Sequence, residues 1–195
     1  QPGQGPETPR QGFPELALPD PPATQPDAAT DPDRPNLFVN PSFEDGQNPW
    51  FSFADKNPMS WGPFSITDTQ ARTGTHSALL KMDSSKFKGK TRIHGAIQEI
   101  KSAHAPDTIG GWYRVENWER GTKKQYLQVV VILWNIKERI PDVRTTNVQI
   151  AYTLAGVEEA PLNISNRRFI LSGPAEPVQN EWVHFEIHPR KDFKE

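Results

Sequence analysis

The stretch Gln125-Tyr126-Leu127-Gln128-Val129-Val130-Val131-Ile132-Leu133-Trp134-Asn135 decides the fold class. It is dense in β-branched and aromatic residues, which favour a pleated, half-buried strand. Successive side chains of a strand point to opposite faces. One face therefore carries Leu127, Val129, Val131 and Leu133 and reads as core. The other carries Tyr126, Gln128, Val130, Ile132 and Trp134, a mixed aromatic and amide surface suited to contact. This is also the longest apolar run in the chain, and at this length, interrupted by Gln128, it falls well short of a bilayer span.

Similar short apolar segments recur on both sides, separated by clusters of glycine, proline, asparagine and aspartate, the texture of an all-β domain. Strands are expected at Leu37 to Val39, Phe64 to Thr67, Ser77 to Met82, Ile93 to Ile100, Thr108 to Trp118, Asn147 to Leu154, Arg168 to Leu171 and Glu181 to Ile187. With the first stretch this is jelly-roll density. The expected fold is a two-sheet antiparallel jelly-roll β-sandwich over residues 36–195, with Phe43, Leu79, Leu127, Val129, Val131, Leu133 and Phe185 in its core.

Alternation in Thr108 to Trp118 sets Trp112, Arg114, Glu116 and Trp118 on one face, against Gly111, Tyr113 and Val115 on the other. Tryptophan avoids water and the charges avoid burial, so a half-open cleft reconciles them. Sugar rings offer apolar C–H faces to aromatic planes and hydroxyls to Arg, Glu and Gln, which makes Trp112, Arg114, Glu116, Tyr126, Gln128 and Trp134 the candidate ligand-binding set. The competing reading is that a loop covers Trp112 and Trp134 while Arg114 and Glu116 form an exposed pair.

Residues 1–35 have different physics. They hold 10 of the 20 prolines and Phe13 as their one aromatic, and they show no hydrophobic periodicity, so they cannot build a core. Six acidic residues against two basic ones give this arm −4, and since the whole chain carries −2, residues 36–195 carry +2. The arm reads as an extended linker or as a docking strap for a partner.

Several chemistries find no residues. Cysteine is absent, which removes disulfides, thiolate metal sites and a cysteine nucleophile. There is no glycine-rich phosphate loop, no Gly-x-Ser-x-Gly elbow and no His-Glu-x-x-His helix. His184 and Glu186 alternate onto one face beside Trp182, but two residues make no catalytic or metal site. Glu158 and Glu159 have no facing carboxylate to complete a glycosidase pair. The basic run Lys86 to Arg92 reads as an exposed hairpin loop, and the near-neutral total charge speaks against a nucleic-acid partner. Asn163-Ile164-Ser165 is a glycosylation sequon. The chain opens at Gln1 with no basic n-region and no apolar h-region, which fits a mature exported protein and equally a shortened chain; the expected location is extracytoplasmic.

The segment from Asn36 to Gly46, Asn-Leu-Phe-Val-Asn-Pro-Ser-Phe-Glu-Asp-Gly, followed by Trp50 or Trp61 and then by Ala71-Arg-Thr-Gly-Thr-His-Ser-Ala-Leu-Leu80, resembles the opening of jelly-roll carbohydrate-binding modules attached to xylanases and laminarinases. Ala96-Ile-Gln98, Gly111-Trp-Tyr-Arg-Val115 and Glu181-Trp-Val-His-Phe185 continue the likeness, which spans about 36–195. Ser42 stands where that family usually has glycine. The resemblance implies a non-catalytic glycan-binding module, and it puts Glu44 where the family commonly places a carboxylate on a structural calcium. Calcium takes six or more oxygens, which loop carbonyls and a late acidic residue such as Glu186 would have to supply. No other cofactor is expected. The alternative is an accessory subunit that uses the same sandwich and the arm to bind and stabilise a protein assembly.

Overall fold

A computed structural model of the chain describes residues 36–83, 92–119, 125–134 and 147–194. The described part is built from strands, with one short helix at its C-terminal end. In chain order these are β1 (Trp61–Gly62), β2 (Ser65–Thr67), β3 (Ser77–Leu79), β4 (Ile93–His94), β5 (Ile109–Arg114), β6 (Leu127–Trp134), β7 (Asn147–Ala155), β8 (Arg167–Leu171), β9 (Trp182–Ile187) and α1 (Pro189–Asp192). The fold is all-β, as the sequence implies. Most of the expected strands are present but shorter, and Leu37 to Val39 is an irregular segment with Leu37 and Val39 exposed.

Two sheets carry most of the structure. In one, β7 lies between β6 and β8. It pairs antiparallel with β6, from Gln128 opposite Thr153 to Trp134 opposite Asn147, and parallel with β8, from Gln149 beside Arg167 to Thr153 beside Leu171. In the other, β5 and β9 pair antiparallel, with Trp112 opposite His184 and Arg114 opposite Trp182. Smaller ribbons join β2 to β3 antiparallel and β1 to β4 parallel. The pairing is therefore mixed. Alternation within a strand reports its faces but not the direction of its neighbour, so the parallel ladders at β7–β8 and β1–β4 depart from the antiparallel pairing expected throughout.

The core has a specific composition. Ile150 and Tyr152 of β7 and Ile187 of β9 are buried together, with Ile109, Val129, Val131, Ile170, Phe185 and Phe193 packed around them. Both sheets contribute, so β7 presses its Ile150 and Tyr152 face against the inner face of the β5–β9 pair. The Tyr152 hydroxyl donates to Asp192 Oδ2 at 2.7 Å, and Arg168 Nη2 donates to the Asp192 carbonyl at 2.6 Å. These bonds fasten the C-terminal helix beneath the core. Burial first, and then the bond to Asp192, push the Tyr152 phenol well above its usual range, so it stays a neutral donor.

The expected core is partly relocated. Val129, Val131 and Phe185 belong to it. A register shift between Leu127 and Gln128 pairs Leu127 with Ala155 and breaks strict alternation there, and Leu127 and Leu133 are half-buried. Phe43 joins a separate aromatic group, 5.0 Å from Trp50 and 6.4 Å from Phe64. Leu79 is 43% exposed, because it pairs with exposed Ser65 at the end of a three-residue ribbon that has no further strand beside it among the described residues.

Because Ile150 is 2% exposed and meets both sheets, Ile150→Ala is expected to lower the unfolding free energy by about 2–5 kcal/mol. Val131→Ala, on a half-buried flanking strand, should cost roughly 1–3 kcal/mol. Urea denaturation of the two variants checks the order, and a larger loss at Val131 would make β6 rather than β7 the central strand.

Candidate functional site

The outward face of the β5–β9 pair is built by alternation. Tyr113 and Phe185 point inward, so Trp112 and Arg114 of β5 and Trp182, His184 and Glu186 of β9 point away from the core. Trp112 is 36% exposed. Its ring lies 4.9 Å from that of His184, tilted by 55°. Arg114 Nε donates to Glu116 Oε1 at 2.6 Å, and its Nη1 donates to the Asn180 carbonyl. The backbone bond from Asn180 N to the Val115 carbonyl holds that carbonyl in reach, with Asn180 in the left-handed region at φ 65°. Arg114 and Glu116 are thus a fixed pair of hydrogen-bonding groups on the strand face that carries Trp112. Glu186 contacts His188 at 3.5 Å. Trp118 is half-buried, with its backbone N–H donating to Gln179 Oε1.

The residues grouped from the sequence do not all meet. Arg114 and Glu116 pair with each other, and Arg114 shares its strand face with Trp112. Gln128 alternates with Val129, which packs into the core from the other sheet, so Gln128 lies on the far side of that sheet. Tyr126 precedes β6 and is half-buried. Trp134 ends β6 with its backbone opposite Asn147, and its side chain lies outside the described part of the structure. Alternation assigns each residue a face of its own strand, but not which strands share a sheet.

The far face of β7 carries a polar row that the sequence reading passed over. Arg167 Nε donates to Gln149 Oε1 at 2.6 Å, Gln149 Nε2 donates to Asn147 Oδ1 at 2.6 Å, and Asn166 Nδ2 donates to the same oxygen at 3.1 Å. Asn147 and Gln149 are 4% and 2% exposed, so this row is an internal network. The cross-strand partners Gln128 and Thr153 place a buried oxygen each, Oε1 and Oγ1, without a hydrogen bond to a described group.

The second group missed from the sequence is Arg72, whose Cζ lies 4.3 Å over the Trp112 ring centroid. It comes from the loop between β2 and β3, and no local pattern links it to β5, 40 positions further along the chain.

Glu44 is held by donors from the loop before β3. Its carboxylate accepts the Thr75 backbone N–H at 3.1 Å, the Thr75 hydroxyl at 2.8 Å and the His76 backbone N–H at 3.0 Å, with His76 Nδ1 at 3.3 Å. A Cβ at Gly74, where φ is +66°, would fall 2.4 Å from Glu44 Oε1, so the close approach requires glycine. No group of three or more His, Asp or Glu side chains surrounds a common point among the described residues. The expected second ligand, Glu186, sits instead beside His188. The basic run Lys86 to Arg92 lies outside the described residues except for Arg92.

The bonds from the His76 backbone, then from the Thr75 hydroxyl and backbone, hold the Glu44 carboxyl at a pKa of about 2, below its ordinary 4.5. A depressed folded-state pKa contributes stability above the ordinary value, and that contribution is lost as pH falls from about 4.5 through about 2. Urea midpoints of wild type and Glu44→Gln measured from pH 6 to pH 2 should differ most at the top of that range and converge toward the bottom. Parallel pH curves would mean that Glu44 does not carry this contact.

No helix among the described residues is long and apolar enough to cross a membrane. No family model matches this chain, and neither a curated protein nor a solved structure matches it significantly, so the chemistry of the site is read from its own residues.

Proposed function

We propose that this chain is a non-catalytic, extracytoplasmic carbohydrate-binding module with a jelly-roll sandwich, and that it takes a glycan on the outward face of β5 and β9. The observation that carries this reading is Trp112, 36% exposed on a sheet surface and flanked by the fixed Arg114 and Glu116 pair and by His184. An indole plane takes the C–H face of a pyranose by dispersion and desolvation, while a guanidinium and a carboxylate set at fixed distance pair with vicinal hydroxyls. The core shared by the two sheets supports a sandwich. In this role residues 1–35 act as a spacer between the module and its neighbour.

A second reading, an accessory subunit of a protein assembly, is favoured by Leu162 and Ile164. They stand 89% and 58% exposed on the segment leading into β8, more apolar surface than a glycan site needs. In that role the arm is a docking strap.

Affinity electrophoresis through gels containing xylan, laminarin, β-glucan or mannan tests the first reading. At least one polysaccharide should retard the wild type, and Trp112→Ala should weaken that interaction about tenfold, the loss of roughly 1 kcal/mol or somewhat more of stacking, with the circular dichroism spectrum unchanged. Equal mobility of wild type and variant in every gel contradicts glycan binding at this face. A pull-down in which wild type captures a defined partner and Leu162→Asp loses it favours the assembly subunit.

A further inference from the structure

The loop between β2 and β3, residues 68–76, is closed at several points. Ser77 Oγ donates to the Gln70 carbonyl at 2.6 Å, Thr69 N donates to Thr67 Oγ1 at 3.2 Å, and Glu44 holds the backbone N–H groups of Thr75 and His76. Its backbone is therefore pinned at both ends of the turn. From this pinned loop Arg72 reaches across to β5 and lays its guanidinium over the Trp112 ring, within the 6 Å that defines a cation–π contact. His184 lies against the same ring. The indole that would stack on a sugar is thus partly covered by the protein's own side chains, and the space directly over its centroid holds a guanidinium.

A sugar ring and the Arg72 guanidinium cannot both occupy that position. We infer that Arg72 is a built-in competitor for the Trp112 platform, held in place by the Glu44-anchored loop, and that ligand binding swings the Arg72 side chain off the ring while the loop backbone stays where it is. This rests on the glycan reading of the Trp112 face and adds to it the residue that sets the threshold for binding. The displaced guanidinium keeps its donors within reach of the ligand's rim, where a ligand with carboxylate or hydroxyl oxygens recovers part of the lost contact. Glu44 acts here as a positioning residue, since it fixes the turn from which Arg72 projects.

Wild type, Arg72→Ala, Glu44→Gln and Trp112→Ala are compared for retardation by laminarin, xylan, β-glucan and mannan, and for acrylamide quenching of tryptophan fluorescence without any polysaccharide. Losing an exposed cation–π contact corresponds to roughly two- to fivefold, so Arg72→Ala should bind about that much more tightly and show a larger quenchable fraction. The quenching increase should vanish in the Arg72→Ala, Trp112→Phe double variant. Glu44→Gln should shift both readouts in the same direction as Arg72→Ala by a smaller factor. Weaker binding by Arg72→Ala would make Arg72 a ligand contact and overturn the competition. Unchanged binding by Arg72→Ala, with binding lost in Trp112→Ala, would overturn it while leaving the glycan reading intact. If no polysaccharide retards the wild type, the glycan reading fails. The cover over Trp112 is then decided by quenching alone, standing if Arg72→Ala exposes the indole and falling if it does not.

Discussion

The packing of Ile150 and Tyr152 against Ile187 is the interaction on which the rest of the structure depends. Each of these side chains is 2–3% exposed, and they come from different sheets. Apolar burial contributes about 25 cal/mol per Å2, and among the described residues a small set of large side chains from two sheets is buried together. The contact fixes which face of every neighbouring strand looks inward. Once Tyr113 and Phe185 turn toward it, Trp112, Arg114 and His184 have no choice but to turn outward, because their strands alternate. The candidate site is in this sense the reverse side of the core.

The same constraint accounts for the unusual strand at the centre. From Gln149 to Val157 every residue of β7 and its extension is buried, although Gln149 and Thr153 are polar. A buried amide is costly unless its hydrogen bonds are made, and the chain from Arg167 through Gln149 to Asn147 makes them. Such a network ties β8 to β7 by side chains in addition to the ladder. It fits a structural role, whereas the β5–β9 face presents its polar groups at the surface.

How much was legible in the sequence follows from the range of each interaction. β5 through β9 were visible because β-branched residues and alternation are properties of a few consecutive positions, and Val129, Val131 and Phe185 were placed in the core on that basis. The separation of Gln128 from Trp112 is not legible locally, because it depends on which sheet each strand joins, a matter of long-range pairing. Arg72 was hidden for the same reason, since its loop contacts β5 only through the fold. The resemblance offers Glu44 as a carboxylate for a structural calcium, and the local pattern does not show the backbone N–H groups that it accepts from. The donors of Thr75 and His76 lie about 30 positions away. The strand expected at Leu37 to Val39 looked apolar enough to pair, yet Asn40 at φ 49° and Phe43 at φ 63° turn the chain there, and Trp50 Nε1 donates to the Asn40 carbonyl across the turn.

The central claim is that the surface opposite the core on β5 and β9, and not the far face of β6 and β7, meets the ligand. Backbone amide chemical shifts of the protein titrated with a mixture of soluble gluco-, xylo- and laminari-oligosaccharides test it directly. The account predicts perturbations concentrated at Arg72, Trp112, Arg114, Glu116 and His184, with Gln128, Gln149 and Thr153 unmoved. Perturbations centred on Gln128, Gln149 and Thr153, or a spectrum unchanged throughout the titration, would contradict it.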